Sequence, residues 1–257
     1  MGRTKLYLVI LILLAVATAR PASSAAATPQ SRDDAITYFN QGVANSEAGR
    51  FKEAVEAFQK AIALKEEFAE AYSNLGYAYG KLERYVEAAE ALALAIRLNP
   101  QLAEAHNNLG YVYAAQRQFK KAIPYYSRAI RINPNYVFAH LNLGMAHAEL
   151  GWLDEAVESL TEAVRLKPDF AVAHHNLGYV LAKAGRLGEA IQAYRQAIAL
   201  KPDLAQAHHN LAVAYLEQGD RALALEQYQQ LKAIDKVSAA RLLDELNEGR
   251  TIVAGKQ

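Results

Sequence analysis

The seven histidines are the side chains of this sequence that most invite a chemical role, because an imidazole can bind a metal ion or transfer a proton. Two pairs are adjacent, His174 with His175 and His208 with His209. Neighbouring residues of a helix point about 100° apart, so neither pair is a ready chelate. The absence of cysteine excludes thiolate catalysis, cysteine zinc sites and disulfides. No catalytic motif is present, and we expect no metal, no cofactor and no enzymatic activity.

The charge of the chain gives no support to a nucleic-acid partner. Lysine and arginine number 28 and aspartate and glutamate 27, for a formal net charge of +1. A nucleic-acid-binding surface needs an excess of positive charge, which this composition does not supply. With 257 residues, of which 52% are hydrophobic, the chain is long enough to bury a large core. Packing must therefore provide its stability.

One polar residue type recurs at a fixed interval of 34 residues. It is asparagine, at Asn40, Asn74, Asn108, Asn142, Asn176 and Asn210. The interval extends to neighbouring residues, since the eight residues that begin at Ala69 align with the eight that begin at Ala103. An internal repeat of this length indicates a solenoid of stacked units. The sequence predicts six units without insertion, residues 35–68, 69–102, 103–136, 137–170, 171–204 and 205–238.

Each unit contains two stretches of helical periodicity, which we call helix A and helix B. The turn between them is marked by glycine in four units, and proline follows helix B in four units. The turn glycines are Gly49, Gly151, Gly185 and Gly219, and the prolines are Pro100, Pro134, Pro168 and Pro202. The sequence therefore predicts one helix-turn-helix hairpin per unit.

Helix A also contains an internal glycine in five units, although glycine costs about 1 kcal/mol relative to alanine inside a helix. Helix B carries a bulky residue at the facing position. The glycines are Gly42, Gly76, Gly110, Gly144 and Gly178, and the bulky residues are Phe58, Leu92, Tyr126, Leu160 and Tyr194. We expect the two helices to approach closely at these pairs.

These small, bulky and proline positions resemble those of the tetratricopeptide repeat family across all six units. The resemblance implies an all-α, right-handed superhelical solenoid whose inner wall is built from helix A and which binds a protein or peptide. Departures fall in the end units, with Gln41 and Glu66 in the first and Ala212, Arg221 and Lys236 in the sixth. Atypical end units are expected where a solenoid meets water.

The segment after the sixth unit has the pattern of a C-terminal capping helix. Leu242, Leu243 and Leu246 are predicted to lie on its buried side, and Gly249 to stand just beyond its end. Residues 239–248 would complete this helix, and residues 249–257 would form a tail.

Positions 2, 6, 9 and 13 of helix A lie on one helical face, which the family resemblance places on the inner wall. Position 6 is the asparagine, and position 9 contributes Tyr77, Tyr111, Met145 and Tyr179. The asparagines have two interpretations, an inherited repeat residue or a ladder of amides that pair with an extended peptide. Such a ladder resembles the asparagine-lined superhelix of the O-linked N-acetylglucosamine transferases, without their catalytic domain. The tyrosines either pack between units or contact a ligand.

The first residues have the pattern of an export signal. Arg3 and Lys5 precede an uncharged apolar stretch, and we assign residues 1–19 to a signal peptide and residues 20–34 to a flexible leader. The apolar stretch is about 21 Å long as a helix, short of the roughly 30 Å hydrocarbon core, which favours cleavage over an uncleaved anchor.

The sequence predicts an exported scaffold without a stable membrane span, periplasmic in a bacterium and secreted otherwise. The alternative is a structural subunit of an envelope or secretion complex that docks through its convex face or its ends. The identity of the partner and the oligomeric state stay open.

Overall fold

The computed structural model describes the backbone of residues 29–254 and most side chains between residues 30 and 247. The predicted signal peptide, most of the leader and the last three residues of the tail lie outside the described range. Within that range the chain forms thirteen α-helices and no strand. They are α1 (Pro29–Glu47), α2 (Phe51–Leu64), α3 (Ala69–Lys81), α4 (Tyr85–Leu98), α5 (Ala103–Ala115), α6 (Phe119–Ile132), α7 (Val137–Glu149), α8 (Leu153–Leu166), α9 (Ala171–Lys183), α10 (Leu187–Leu200), α11 (Ala205–Glu217), α12 (Arg221–Ile234) and α13 (Lys236–Ala254).

The helices are arranged as a solenoid of hairpins, as the repeat predicted. Odd-numbered helices from α1 to α11 are the A helices, even-numbered ones are the B helices, and α13 covers the last hairpin. Each helix packs mainly against its neighbours in sequence, and successive A helices also touch one another. None of the helices in the described range has the length and apolarity needed to span a membrane.

The first helix begins earlier than the sequence predicted. Residues 29–34, which we assigned to the flexible leader, form the start of α1. Proline suits a first helical position because its φ is already helical and it has no N–H to leave unpaired. Gln30 and Asp34 also share a hydrogen bond of 3.3 Å one turn apart.

The turn between helices A and B uses a left-handed residue at the same position of every unit. Four units place glycine there, with φ between 73° at Gly49 and 85° at Gly219. The second and third units place Glu83 and Arg117 there, with φ of 59° and 58°. These two residues carry a strain that glycine avoids.

The close approach of helices A and B is confirmed at the internal glycines. A methyl group added at Gly110 would lie 2.7 Å from the Tyr126 ring, and one added at Gly178 would lie 2.7 Å from the Tyr194 ring. Both tyrosine side chains are 1% exposed. The glycines are therefore required by packing, which compensates their low helix propensity.

The capping helix differs from its prediction in two respects. Leu242 and Leu246 are fully buried, but Leu243 is 37% exposed, so its assignment to the buried side was wrong. Adjacent helical residues point about 100° apart, and the buried stripe runs through Ala239, Leu242 and Leu246. The helix also continues through Gly249 to Ala254, because one glycine weakens a helix without ending it.

The cap explains one departure of the sixth unit. Arg221 stands where other units have a bulky apolar residue, and its guanidinium donates a 2.5 Å hydrogen bond to the carbonyl oxygen of Leu246. This contact joins α12 to the cap.

Candidate functional site

The predicted asparagine ladder lies along the A helices. Asn40 is exposed, and the other five asparagines are partly buried. Three of them form hydrogen bonds with the preceding unit. The Asn142 amide donates to Asn107 Oδ1 at 2.9 Å, and the Asn108 amide donates to Ser73 Oγ at 3.4 Å. The Asn210 amide donates to His175 Nε2 at 3.0 Å.

These bonds follow one rule, in which the asparagine at position 6 reaches the side chain at position 5 of the unit before it. The rule fails where that side chain is apolar, as at Phe39 and Leu141. Asn74, which follows Phe39, instead donates to the carbonyl oxygen of Glu70 at 3.1 Å. Asn176, which follows Leu141, bonds to the neighbouring His175 at 3.3 Å.

The ladder therefore has a structural role that sequence reasoning missed. The residue type at position 5 differs from unit to unit, so the sequence did not indicate that this position is the hydrogen-bond partner of the asparagine. The available signal was a polar residue at position 5 that lies 35 residues before the asparagine of the next unit. Each amide has one acceptor and two donors, so a single inter-unit bond leaves capacity for a ligand.

His175 is a neutral histidine at the centre of this network. Asn210 donates to its Nε2, so its Nδ1 carries the proton and donates to Asn176 Oδ1. Burial lowers the pKa of His175, and the hydrogen bond to Asn176 opposes that shift. The ring also lies 5.8 Å from the Tyr194 ring. Protonation of Nε2 would remove the acceptor of the hydrogen bond from the Asn210 amide.

The predicted tyrosines of position 9 are half-buried, and Tyr77 and Tyr111 both pack between units and remain partly exposed. Tyr77 and Tyr111, in successive A helices, have ring centroids 6.4 Å apart, so they pack between units. Both retain an exposed fraction on the same face. The Lys81 ammonium lies 5.5 Å from the Tyr77 centroid and 5.2 Å from that of Tyr111.

A second aromatic group surrounds Phe138, which occupies position 2 of α7. The ring of Phe138 is 6.2 Å from that of Tyr136 and 5.7 Å from that of Phe170. Phe138 is 52% exposed, which is unusual for so large an apolar residue. Burial, followed by the charge of Glu104 and by Tyr77, raises the pKa of Tyr136 to about 12.

The other predicted residues lie towards the C-terminal end of the same face. A depression of about 210 Å³ between α9 and α11 is lined by Tyr179, Asn210, Lys183 and Glu217. Met145 is partly buried and packs in a small cluster that includes Tyr179. The ten predicted residues thus follow the row of A helices, and the depression brings Tyr179 and Asn210 together.

Four histidines at position 4 have a structural role in the loops between units. The Nε2 atoms of His106, His140, His174 and His208 lie 2.9 to 3.1 Å from the carbonyl oxygens of Pro100, Pro134, Pro168 and Pro202. A carbonyl only accepts, so each Nε2 donates. A cleft of about 600 Å³ beside α7 and α8 includes His140 and His147. Within the described residues, no three histidines or carboxylates are grouped so that they could hold a metal ion.

The repeat is shared with known proteins. Family models described as TPR repeat match residues 46–83, 146–185 and 180–219, and models described as tetratricopeptide repeat match residues 69–102, 103–136, 125–158 and 205–237. No curated protein matches the chain in sequence.

Several solved structures are similar in fold. YrrB, described as a TPR protein with an unusual peptide-binding site, is 30% identical over 70% of this chain and 92% of its own, with a TM-score of 0.53. PilF of Pseudomonas aeruginosa is 18% identical over 84% of this chain and 99% of its own, with a TM-score of 0.72. PilW, described as a widely conserved type IV pilus biogenesis factor, is 21% identical over 77% and 92%, with a TM-score of 0.71. The family matches run without a break from residue 46 to residue 237, and the chain belongs to the tetratricopeptide repeat family.

Proposed function

We propose that this chain is a non-enzymatic, exported scaffold that binds an extended segment of a partner protein along its A helices. The surface formed by positions 2, 6, 9 and 13 of these helices is called the groove below. The observation that carries the proposal is the exposure of Phe138, at position 2, on the same helical face as the half-buried Tyr77 and Tyr111 of position 9, because apolar rings grouped on a surface in contact with water mark interaction sites.

The asparagines suit the same ligand. Successive inner helices of a solenoid lie about 10 Å apart, and an extended peptide rises about 3.3 Å per residue, so one asparagine meets roughly every third ligand residue. A ligand that fills the groove is therefore about 15 to 18 residues long. YrrB, whose description names a peptide-binding site, supports a peptide ligand by similarity.

Export rests on the first residues of the sequence. The basic start and the apolar stretch predict a cleaved signal, so the mature protein would begin at Arg20 or Thr28 and would lie in the periplasm if the source is bacterial, or be secreted otherwise. Intact-mass measurement of protein from the exported fraction tests this. A full-length, membrane-embedded product would favour an uncleaved anchor instead.

A second candidate is a structural subunit of an envelope or secretion complex. Val86 on helix B is 69% exposed and Val237 at the cap is 75% exposed, which offers apolar contacts on the outer face and at one end. PilW, described as a pilus biogenesis factor, has the same fold. Charged substitutions at Val86 and Val237 that abolish assembly while peptide binding persists would favour this candidate.

The groove is tested by titration of peptides about 15 residues long, selected on the mature chain, against a double variant. Replacing Asn108 and Asn142 by alanine should weaken binding by about 1 to 3 kcal/mol, roughly five- to a hundredfold, with helical content retained. Unchanged affinity in a folded variant would contradict amide pairing.

A control variant separates ligand contact from coupling between units. Asn107→Leu removes the acceptor of Asn142 and the donor that lies 3.4 Å from Asn108 Oδ1, but it leaves both groove asparagines in the chain, and Leu141 already occupies this position in the next unit. We expect this variant to bind peptide nearly as well as the parent. Equal losses in both variants would mean that the asparagines only set the spacing of the units.

A further inference from the structure

The groove already binds cations that belong to the chain itself. Lys81 lies over both Tyr77 and Tyr111, and Lys183 lies 5.5 Å from the centroid of the Tyr179 ring. An ammonium or guanidinium group near an aromatic face is attracted by the negative charge density of the ring. The tyrosines of this face are therefore arranged to hold positive charge.

Carboxylates outnumber these lysines along the same face. Positions 2 and 13 of the A helices carry five glutamates and two lysines, which are Glu47, Glu70, Glu104, Glu149 and Glu217 against Lys81 and Lys183. All seven side chains are exposed. The whole chain is almost neutral at +1, so the groove is more negative than the molecule as a whole.

Four of these five glutamates have no ion-pair partner within the described residues, and Glu70 and Glu104 are among them. Glu149 pairs with Arg117 at 3.3 Å, whereas Glu70 and Glu104 form no ion pair within the described part of the chain. Glu104 and Phe138 occupy position 2 of successive A helices, α5 and α7. After burial, the charge of Glu104 is the next cause that raises the pKa of Tyr136, whose ring is 6.2 Å from that of Phe138.

We propose that the groove selects a basic extended segment, whose lysine or arginine side chains lie on the tyrosine and phenylalanine rings and pair with Glu70 and Glu104. This inference rests on the proposed function and adds the chemistry of the ligand. A cation between a ring and a carboxylate gains from both, and desolvation by the rings strengthens the ion pair. Aliphatic or aromatic residues of the segment cover Phe138 between the cations.

The test uses three pools of synthetic peptides about 15 residues long. The pools have the same aromatic and aliphatic content and differ only at fixed positions, which carry arginine, glutamine or glutamate. Retention on the immobilised mature chain should be greatest for the arginine pool and least for the glutamate pool. The preference should weaken as ionic strength rises from about 0.01 M to about 0.1 M, where the Debye length shortens from about 30 Å to about 10 Å.

Opposite charge changes on the same face should have opposite effects. Glu70→Gln combined with Glu104→Gln should weaken binding of the arginine pool by about three- to thirtyfold. Lys81→Gln should strengthen it by about two- to fivefold, because it removes a competing cation from Tyr77 and Tyr111.

The matched control is Glu56→Gln combined with Glu90→Gln, which makes the same charge change on exposed positions of two B helices. It should leave binding of the arginine pool within about twofold of the parent. Equal effects of the two double variants, or equal retention of the three pools, would overturn the proposal.

The outcomes also separate this inference from the proposed function. If the three pools bind equally well and this binding is lost in the Asn108→Ala and Asn142→Ala double variant, the preference for a basic ligand is rejected. The proposal that a peptide binds in the groove would then still stand. Retention of none of the three pools would contradict both.

Discussion

The hydrogen bond between Asn142 and Asn107 allows the coupling of neighbouring units to be measured. Asn107 is 5% exposed, and its Oδ1 accepts the Asn142 amide at 2.9 Å. Asn142→Ala leaves that buried oxygen without its donor, and an orphaned buried acceptor costs about 1 to 3 kcal/mol. Asn107→Leu removes the oxygen itself and returns the half-buried Asn142 amide to water, so we expect a loss below about 1 kcal/mol.

Thermal and urea unfolding, followed by circular dichroism, measure the difference between the two variants. For a chain of this size, about 1 kcal/mol corresponds to a shift of about 2 to 4 °C in melting temperature. Asn142→Ala should therefore melt about 2 to 12 °C below the parent, and Asn107→Leu should stay within about 4 °C. The reasoning is refuted if Asn107→Leu is destabilised as much as Asn142→Ala, since the cost would then not arise from the orphaned oxygen.

Three further predictions concern stability and are checked by urea unfolding. Because burial lowers the pKa of His175 in the folded chain, the unfolded chain binds the proton more readily, and the free energy of unfolding should fall as the pH drops below about 6.5. His175→Asn keeps a hydrogen-bond acceptor but does not titrate, so it should reduce this loss of stability between about pH 7.5 and about pH 5. An unchanged pH profile would exclude His175 as a contributor. In the left-handed turns, Gly185→Ala should lower the free energy of unfolding by about 1 to 2 kcal/mol, and Glu83→Gly should raise it by up to about 1 kcal/mol. Changes of the same sign in both variants would contradict the assignment of backbone strain to this turn position. At the cap, Leu246→Ala should cost about 2 to 5 kcal/mol and Leu243→Ala less than about 1 kcal/mol, and equal losses would mean that the two faces of α13 are misassigned.

The fold was readable from sequence because each unit repeats the same packing. A glycine in helix A opposite a bulky residue in helix B, as at Gly110 and Tyr126, has one simple explanation, and the structure confirms it. The left-handed turns were only partly readable. Glycine signals positive φ, but Glu83 and Arg117 adopt it with no residue that favours it, because the surrounding hairpin imposes the conformation.

The site was less predictable than the fold. The sequence placed the asparagines on one face, but it did not reveal that Asn142 reaches Asn107 or that Asn210 reaches His175. Those bonds depend on the rotation between successive units, which the repeat period alone does not specify. Tyr136 was missed for a related reason, because it lies in the loop before α7, outside the helical positions that define the groove.

Site-specific photo-crosslinking tests the central claim of a ligand-binding groove most directly. A benzoylphenylalanine at Tyr111 lies on the groove, and the same residue at Val86 lies on the exposed side of a B helix. Irradiation with a bound peptide from the arginine pool should give a covalent adduct at position 111 and none at position 86. An adduct at position 86 alone would contradict a ligand-binding groove and would place the interaction on the outer face.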